Sequence, residues 1–243
     1  MKFSISVAIA IAAALWLEGN GKESHRGSSP VIVELFTSQG CSSCPSADDL
    51  VHKLAAEQSV VIPLAFHVDY WNHLGWSDPF SSKSWTQRQM MYVNTFHLAG
   101  AYTPEAVVNG GAEMVGSDER KLRARIAEES TRAAEANVGL SASADGVHVT
   151  ATSRHPHVDL VLAIVEDGNL TPVARGENSG RSLRNDFVVR SVRRVGSLDK
   201  GPVDAEVPLQ LDASWKRHPL RAVAFVQDRE TLRIYGAATT SIP

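Results

Sequence analysis

Cysteine is almost missing from this sequence. Two occur in 243 residues, both within Cys41-Ser42-Ser43-Cys44. No pair is therefore left to tie distant segments together, where closing a long loop stabilises most. A pair closing so small a loop adds little stability and reads as reactive or metal-binding. A basic excess is also missing. Lys and Arg number 24 against 27 Asp and Glu, for a net charge of -3. Nucleic acid would need clustered cations for its phosphates, so that class of partner is excluded. The one cation-rich stretch, Arg120 to Arg132, alternates with Glu and Ala and reads as the solvated face of a helix. There is no phosphate-binding glycine loop of the G-x-x-x-x-G-K type, no Ser/His/Asp set in a recognisable context, and no internal repeat. The apolar run Phe3 to Leu17 is shorter than the roughly 20 residues of a membrane span.

Hydrophobic residues make up 43% and charged residues 21%, a balance that can bury a core. The length suits one large domain or two ordinary ones. Lys2 before the short apolar run reads as a secretory signal, with an uncleaved membrane anchor as the alternative. Small residues at Ala12-Ala13-Ala14 and Gly19-Asn20-Gly21 both offer cleavage sites, and residues 19–29 read as a flexible leader, so that 1–29 is signal peptide and leader together. The expected location is periplasmic or secreted.

Val31 to Phe36 is a β-rich apolar run, read as a buried strand. The Cys pair follows, then Pro45, which suits a first helical turn. Ala47, Leu50, Val51, Leu54 and Ala55 recur at helical spacing, so Ser46 to Gln58 is an expected helix with Cys41 at or just before its start. Val60 to Val68 is a second apolar strand. Trp85 to Leu98 is an expected helix. Glu105 to Gly110 ends in an Asn-Gly hairpin turn with Ala112 to Val115 returning, and Asp118 caps a helix running to about Ala136. Beyond a boundary near residue 137 the texture becomes short strands. Residues 138–151 form a hairpin across Asp145-Gly146. Strands are expected at Asp159 to Glu166, Phe187 to Val195, Ala205 to Leu211, Arg221 to Gln227 and Leu232 to Ala238, together suggesting a β-sandwich over 138–243.

A thiolate is the nucleophile in disulfide exchange, and a helix start favours it through unpaired N–H groups and partial positive charge. Cys41 is therefore the expected nucleophile and Cys44, one turn on, the resolving thiol. Parallel neighbouring strands end at one sheet edge, so the segment after the second strand, His67 to Phe80, is expected beside Cys41. Three roles are open to it. Trp71 and Trp76 can wall a partner site. His67 or His73 can tune the thiolate by charge. His67, His73 and Asp69 with both cysteines can ligate copper or zinc. Otherwise these aromatics plug the domain and the histidines satisfy local hydrogen bonds. Gly176 to Leu183 is a polar loop that either meets the first domain or a partner, or is a turn closed by its own hydrogen bonds. His155-Pro156-His157 offers two metal-binding side chains, but in a turn it reads more simply as plain surface.

Three strings are distinctive: Glu34 to Asp48 around the Cys pair, Phe66 to Trp71 with Leu74 to Phe80, and Tyr102-Thr103-Pro104 with Val107 to Gly110. With Gly176 to Leu183 and the closing Val226-Gln227-Asp228 to Gly236-Ala237-Ala238, they resemble a family of uncharacterised, mostly exported bacterial proteins with a thioredoxin-like domain. The family often carries two prolines after the second Cys; here Pro45-Ser46 stands instead. The resemblance implies an α/β fold: a thioredoxin-like domain over 30–137 (βαβ, α, ββα around a central mixed sheet), then the β-rich part. It implies bacterial export but no reaction. The wider thioredoxin superfamily implies roles for Cys41, Cys44 and Pro104, with a cis Pro104 facing the dithiol. Thr103 would then be free to pair with an extended partner chain.

Three functions follow. The first is an exported oxidoreductase acting on protein or small-molecule thiols and disulfides, with the dithiol itself as redox group and no other cofactor. The second is a copper- or zinc-binding protein. The third is a binding module in which the disulfide is a static clip. Metal analysis of the reduced protein, with the midpoint potential of the pair, separates them.

Overall fold

A computed structural model describes residues 30–215 and 219–243. The expected signal segment, 1–29, lies outside the described residues. β1 (Val31–Thr37) is buried along its whole length and feeds the Cys turn, which leads into α1 (Pro45–Glu57). β2 (Val61–His67) returns parallel to β1, pairing Val31 with Val61 through Thr37 with His67. Both strands therefore finish at the same edge, where ligand sites gather in such sheets. α2 (Lys83–Thr95) follows, capped by the Ser82 hydroxyl, then β3 (Glu105–Val108) and β4 (Ala112–Val115) across the Asn109-Gly110 turn.

Strand alternation sends neighbouring side chains to opposite faces of the sheet. Glu34 and Phe36 of β1 meet Tyr92 of α2, while Leu35 faces the α1 side near Ala47. α3 (Glu119–Ser130), capped by Asp118, lies beside α1, joined to it by Lys53–Glu119 and Arg123–Glu57 pairs. α3 ends six residues before the expected Ala136. Residues from Glu135 on are taken by strand pairing: the Glu135 N–H donates to the Tyr235 carbonyl and Ala136 opens β5. Helix-favouring composition yields there to tertiary pairing.

The remainder is β5 (Ala136–Ala142), β6 (Gly146–Ser153), β7 (Val158–Glu166), β8 (Asn169–Pro172), β9 (Ser182–Asn185), β10 (Val188–Ser197), β11 (Val203–Pro208), β12 (Leu220–Asp228) and β13 (Ile234–Ile242). The main sheet has the order β13-β12-β7-β10-β2-β1-β3-β4, and β11-β6-β5 forms a second sheet. The whole is a mixed α/β fold on one large mixed sheet. The β-rich half contributes strands to both of these sheets. One of them, however, continues the sheet of the first half through β10 on β2, where Val188 pairs with Ala65. The reason lies in β7 and β12, which are apolar on both faces. Leu160, Leu162, Ile164, Ala222, Ala224 and Val226 pack toward the second sheet. Their alternates Val161, Ala163, Val165, Val223 and Phe225 join the core of the first half. A strand apolar on both faces needs cover on both. Among the described residues, no helix is long and apolar enough to cross a membrane.

The Cys41–Cys44 disulfide and the hairpin that covers it

Chain order alone sets the centre of the site. β1 ends at Thr37, three residues follow, and a disulfide closes between Cys41 and Cys44. The helix starts at Pro45 with Cys44 at its cap position, so Cys41 stands one turn ahead of it. The Cys44 N–H donates to the Cys41 carbonyl, and the Ala47 and Asp48 N–H groups to that of Cys44, making the Cys turn continuous with α1. Both cysteines are 0% exposed.

Pro104 stands where the register puts it. β3 runs antiparallel to β1 with Glu105 opposite Phe36, so Pro104 lies one residue further, toward the Cys turn. The Thr103–Pro104 bond is cis. Gly116 marks how closely the parts meet. A Cβ there would come within 2.8 Å of Leu35 Cδ1, 3.2 Å of Pro104 Cβ and 3.3 Å of Ala47 Cβ.

The aromatic segment lies along the same edge. Trp71 donates from Nε1 to Thr103 Oγ1 at 2.8 Å, and its Cβ lies 2.9 Å from where a Cβ on Gly40 would sit. Only glycine fits that contact beside the Cys turn. Trp76 donates to Gln39 Oε1 at 3.1 Å. His67 is buried and its Nδ1 meets Asp78 Oδ2 at 2.7 Å, while the same oxygen accepts the Gln39 N–H at 2.8 Å. Burial pushes the His67 imidazolium toward losing its proton, but the Asp78 carboxylate beside it prevails and holds its pKa above the ordinary value. Burial likewise works against the Asp78 charge, yet His67 and two backbone N–H groups hold its pKa low. Asp48, in the first turn of α1, turns its carboxylate inward to the Thr37 hydroxyl; burial drives its pKa up to about 7, against the opposing pull of His67 and that hydroxyl.

The other expected ligands diverge. Asp69 accepts from Thr86 Oγ1, and His73 is exposed with Nδ1 on the Tyr70 carbonyl. Among the described residues no group of three or more His, Cys, Asp or Glu side chains is arranged to hold a metal ion. Cys41 and Cys44 are bonded to each other, while His67, His73 and Asp69 are held by Asp78, the Tyr70 carbonyl and Thr86.

The Cys turn is also bonded from far along the chain. β8 and β9 pair as a two-stranded hairpin, and their 173–181 connection lies on the Cys turn. The Asn178 amide, itself buried, donates from Nδ2 to the carbonyls of Gln39 and Cys41, both at 2.9 Å. Arg181 orients that amide by donating to Asn178 Oδ1 at 2.8 Å. Glu177 accepts the Ser42 N–H at 2.9 Å, and Asn185 Oδ1 accepts from Gln39 Nε2 at 2.6 Å. The polar stretch Gly176 to Leu183 is legible in the sequence as a loop able to meet the first domain, but its target lies 137 or more positions away and leaves no local signal. For Asp48, Asp78 and Gln39 the available signal is their polar character near a Cys turn. Asn178→Ala removes two hydrogen bonds to the Cys turn, each contributing about 1 kcal/mol, together with the one from Arg181, and should speed reduction of the disulfide by dithiothreitol about tenfold or more. An unchanged rate, followed by alkylation and mass spectrometry, would show that the hairpin does not limit access.

The fold and site define a mixed α/β protein with a single C-x-x-C disulfide at a strand-to-helix turn. The chain belongs to the family described as "Protein of unknown function (DUF1223)", which matches residues 32–227. Among solved structures it is similar to protein AGR_C_4864 from Agrobacterium tumefaciens, with 29% identity and a TM-score of 0.73 over 87% of this chain and 94% of that one. HBP35 of Porphyromonas gingivalis shares the fold at 16% identity and a TM-score of 0.63, over 89% of this chain and 76% of that one. No curated protein matches the chain.

Proposed function

We propose that this chain is an exported thiol–disulfide oxidoreductase whose 30–137 half is thioredoxin-like and whose remaining half stabilises and covers it. Cys41 attacks the partner, Cys44 resolves, and Pro104, Thr103, Trp71 and Trp76 form the surface that receives it. The carrying observation is the meeting of a disulfide, a helix start and the Thr103–Pro104 segment at one end of β1. Export is supported by the apolar N-terminal run of the sequence. The electrons reside in the dithiol, so the reading calls for no further cofactor. Partners are protein or small-molecule thiols and disulfides.

Burial of both sulfurs favours a second reading, a static clip. One experiment separates the two. In Cys44→Ser the Cys41 thiol is left without its resolving partner and should accumulate a stable mixed disulfide with glutathione or thionitrobenzoate. In Cys41→Ser the remaining Cys44 thiol should react at least about a hundredfold more slowly, since it sits at the helix cap behind the attacking position. Equal and negligible adduct in both variants, seen by intact mass, would leave the static clip standing.

A further inference from the structure

We propose that Glu177 is a positioning residue that tunes the Cys41–Cys44 pair toward reduction of its partners, by occupying the Ser42 N–H and placing a carboxylate on the peptide that follows Cys41. The inference rests on the oxidoreductase reading and specifies its direction.

The contact itself is simple. Glu177 Oε2 accepts the Ser42 N–H at 2.9 Å, and Ser42 N is bonded to the carbonyl carbon of Cys41. This N–H belongs to the residue that follows Cys41, in the turn that leads into α1. Two effects act together. A donor that could stabilise the thiolate is already taken, and a negative charge stands beside the place where a second one forms. The other charges around the turn come from separate elements. Asp48 of α1, His67 of β2 and Asp78 lie on the buried side, and Arg181 reaches the turn only through Asn178. Glu177 is the carboxylate bonded directly to the backbone of the Cys turn from its outer side.

The reduced pair acts on a partner disulfide in two exchanges. The Cys41 thiolate attacks one partner sulfur, forming a mixed disulfide and expelling the other as a thiolate. Cys44, after losing its proton, attacks the Cys41 sulfur and expels the second partner thiolate. Two electrons pass to the partner, the protons end on its two thiols, and the pair is left oxidised for a dithiol donor to restore. A pair whose thiolate form is disfavoured gives up electrons more readily.

The test uses the full chain as wild type, Glu177→Gln and Glu177→Ala, equilibrated in dithiothreitol redox buffers and read by alkylation. Gln keeps an acceptor and removes the charge; Ala frees the N–H as well. The expected order is wild type most reducing, Gln about 3- to 10-fold more oxidising, and Ala further still; tenfold corresponds to about 30 mV. In a Cys44→Ser background the pH midpoint of Cys41 alkylation should fall in the same order, and high salt should narrow the gap between wild type and Gln. A purely structural role would move thermal stability without ordering the potentials. Coincident or reversed potentials with normal Cys41 adduct formation overturn the role of Glu177 alone. An ordered series with no adduct overturns the oxidoreductase reading instead. A disulfide that dithiothreitol reduces in none of the three overturns both.

Discussion

Arg88→Met is expected to cost the fold about 3–5 kcal/mol, the loss typical of stranding a buried charge. Glu34 sits in β1 with no exposure and with a strand on each side. Its carboxylate accepts from Arg88 Nε at 2.5 Å, Arg88 Nη2 at 2.9 Å and the Tyr92 hydroxyl at 2.5 Å. The guanidinium also lies over the rings of Phe66, Tyr92 and Phe225, and donates to Gln227 of β12 at 3.2 Å. One side chain of α2 therefore ties β1 to a strand from the far half of the chain. Removing it leaves the Glu34 charge with the Tyr92 hydroxyl for company, in surroundings too apolar to solvate it. Adding Glu34→Gln to Arg88→Met removes the stranded charge and should restore more than half of the loss. Urea unfolding of the two variants measures both numbers. A loss below about 1 kcal/mol for Arg88→Met would mean that water reaches Glu34. Because β1 runs directly into Gln39 and Cys41, the single variant should also quicken reduction of the disulfide.

Glu34 shows where the sequence stops being readable. It lies inside an apolar strand, and nothing local announces that its partner is Arg88, 54 positions away. Local signals carried the first half. The apolar runs, Pro45 after the Cys pair, Asn109-Gly110 between two strands and Asp118 before a helix each act over a few residues, and β1, α1, β2, β3, β4 and the start of α3 fall where those signals stand. Non-local demands decided the rest. Ala136 left a helical composition for strand pairing. β8 and β9 went unread because each is four residues long, and Leu170 faces solvent, so neither shows a clean alternation. Yet that hairpin is bonded to the Cys turn, with Asn178 reaching a carbonyl 137 positions earlier. The unbroken apolar run of β7 was visible in the sequence, and read as a strand covered on both faces it would have indicated a shared sheet rather than a free-standing sandwich. His73 and Asp69 were plausible ligands by proximity in sequence alone; the turns that follow β2 send them to the Tyr70 carbonyl and Thr86.

The pH dependence of stability should run opposite to ordinary acid denaturation across the weakly acidic range, and Asp48 should be its largest source. Its carboxyl titrates near 3.8 when unfolded and is raised to about 7 by burial in the fold. A raised folded pKa means that the native state holds a proton the unfolded chain has released. Stability is therefore fully present below the unfolded pKa and is lost as pH climbs through the folded one. Glu105, buried against Gln89 and likewise raised to about 7 chiefly by burial, adds a contribution of the same sign. So does His67, whose raised pKa extends the decline upward from its unfolded value of 6.5. Asp78, held low, acts only below the range of the other three, where its protonation destabilises the fold. For Asp48 the full shift corresponds to roughly 4 kcal/mol, and solvent contact on this half-buried residue trims that to about 2–4 kcal/mol. Asp48→Asn cannot ionise, so the fall in unfolding free energy between pH 4 and pH 8 should shrink by that amount, with the variant more stable than wild type at pH 8. Parallel urea titrations at the two pH values decide it. Equal slopes for wild type and variant would place the Asp48 carboxylate in water.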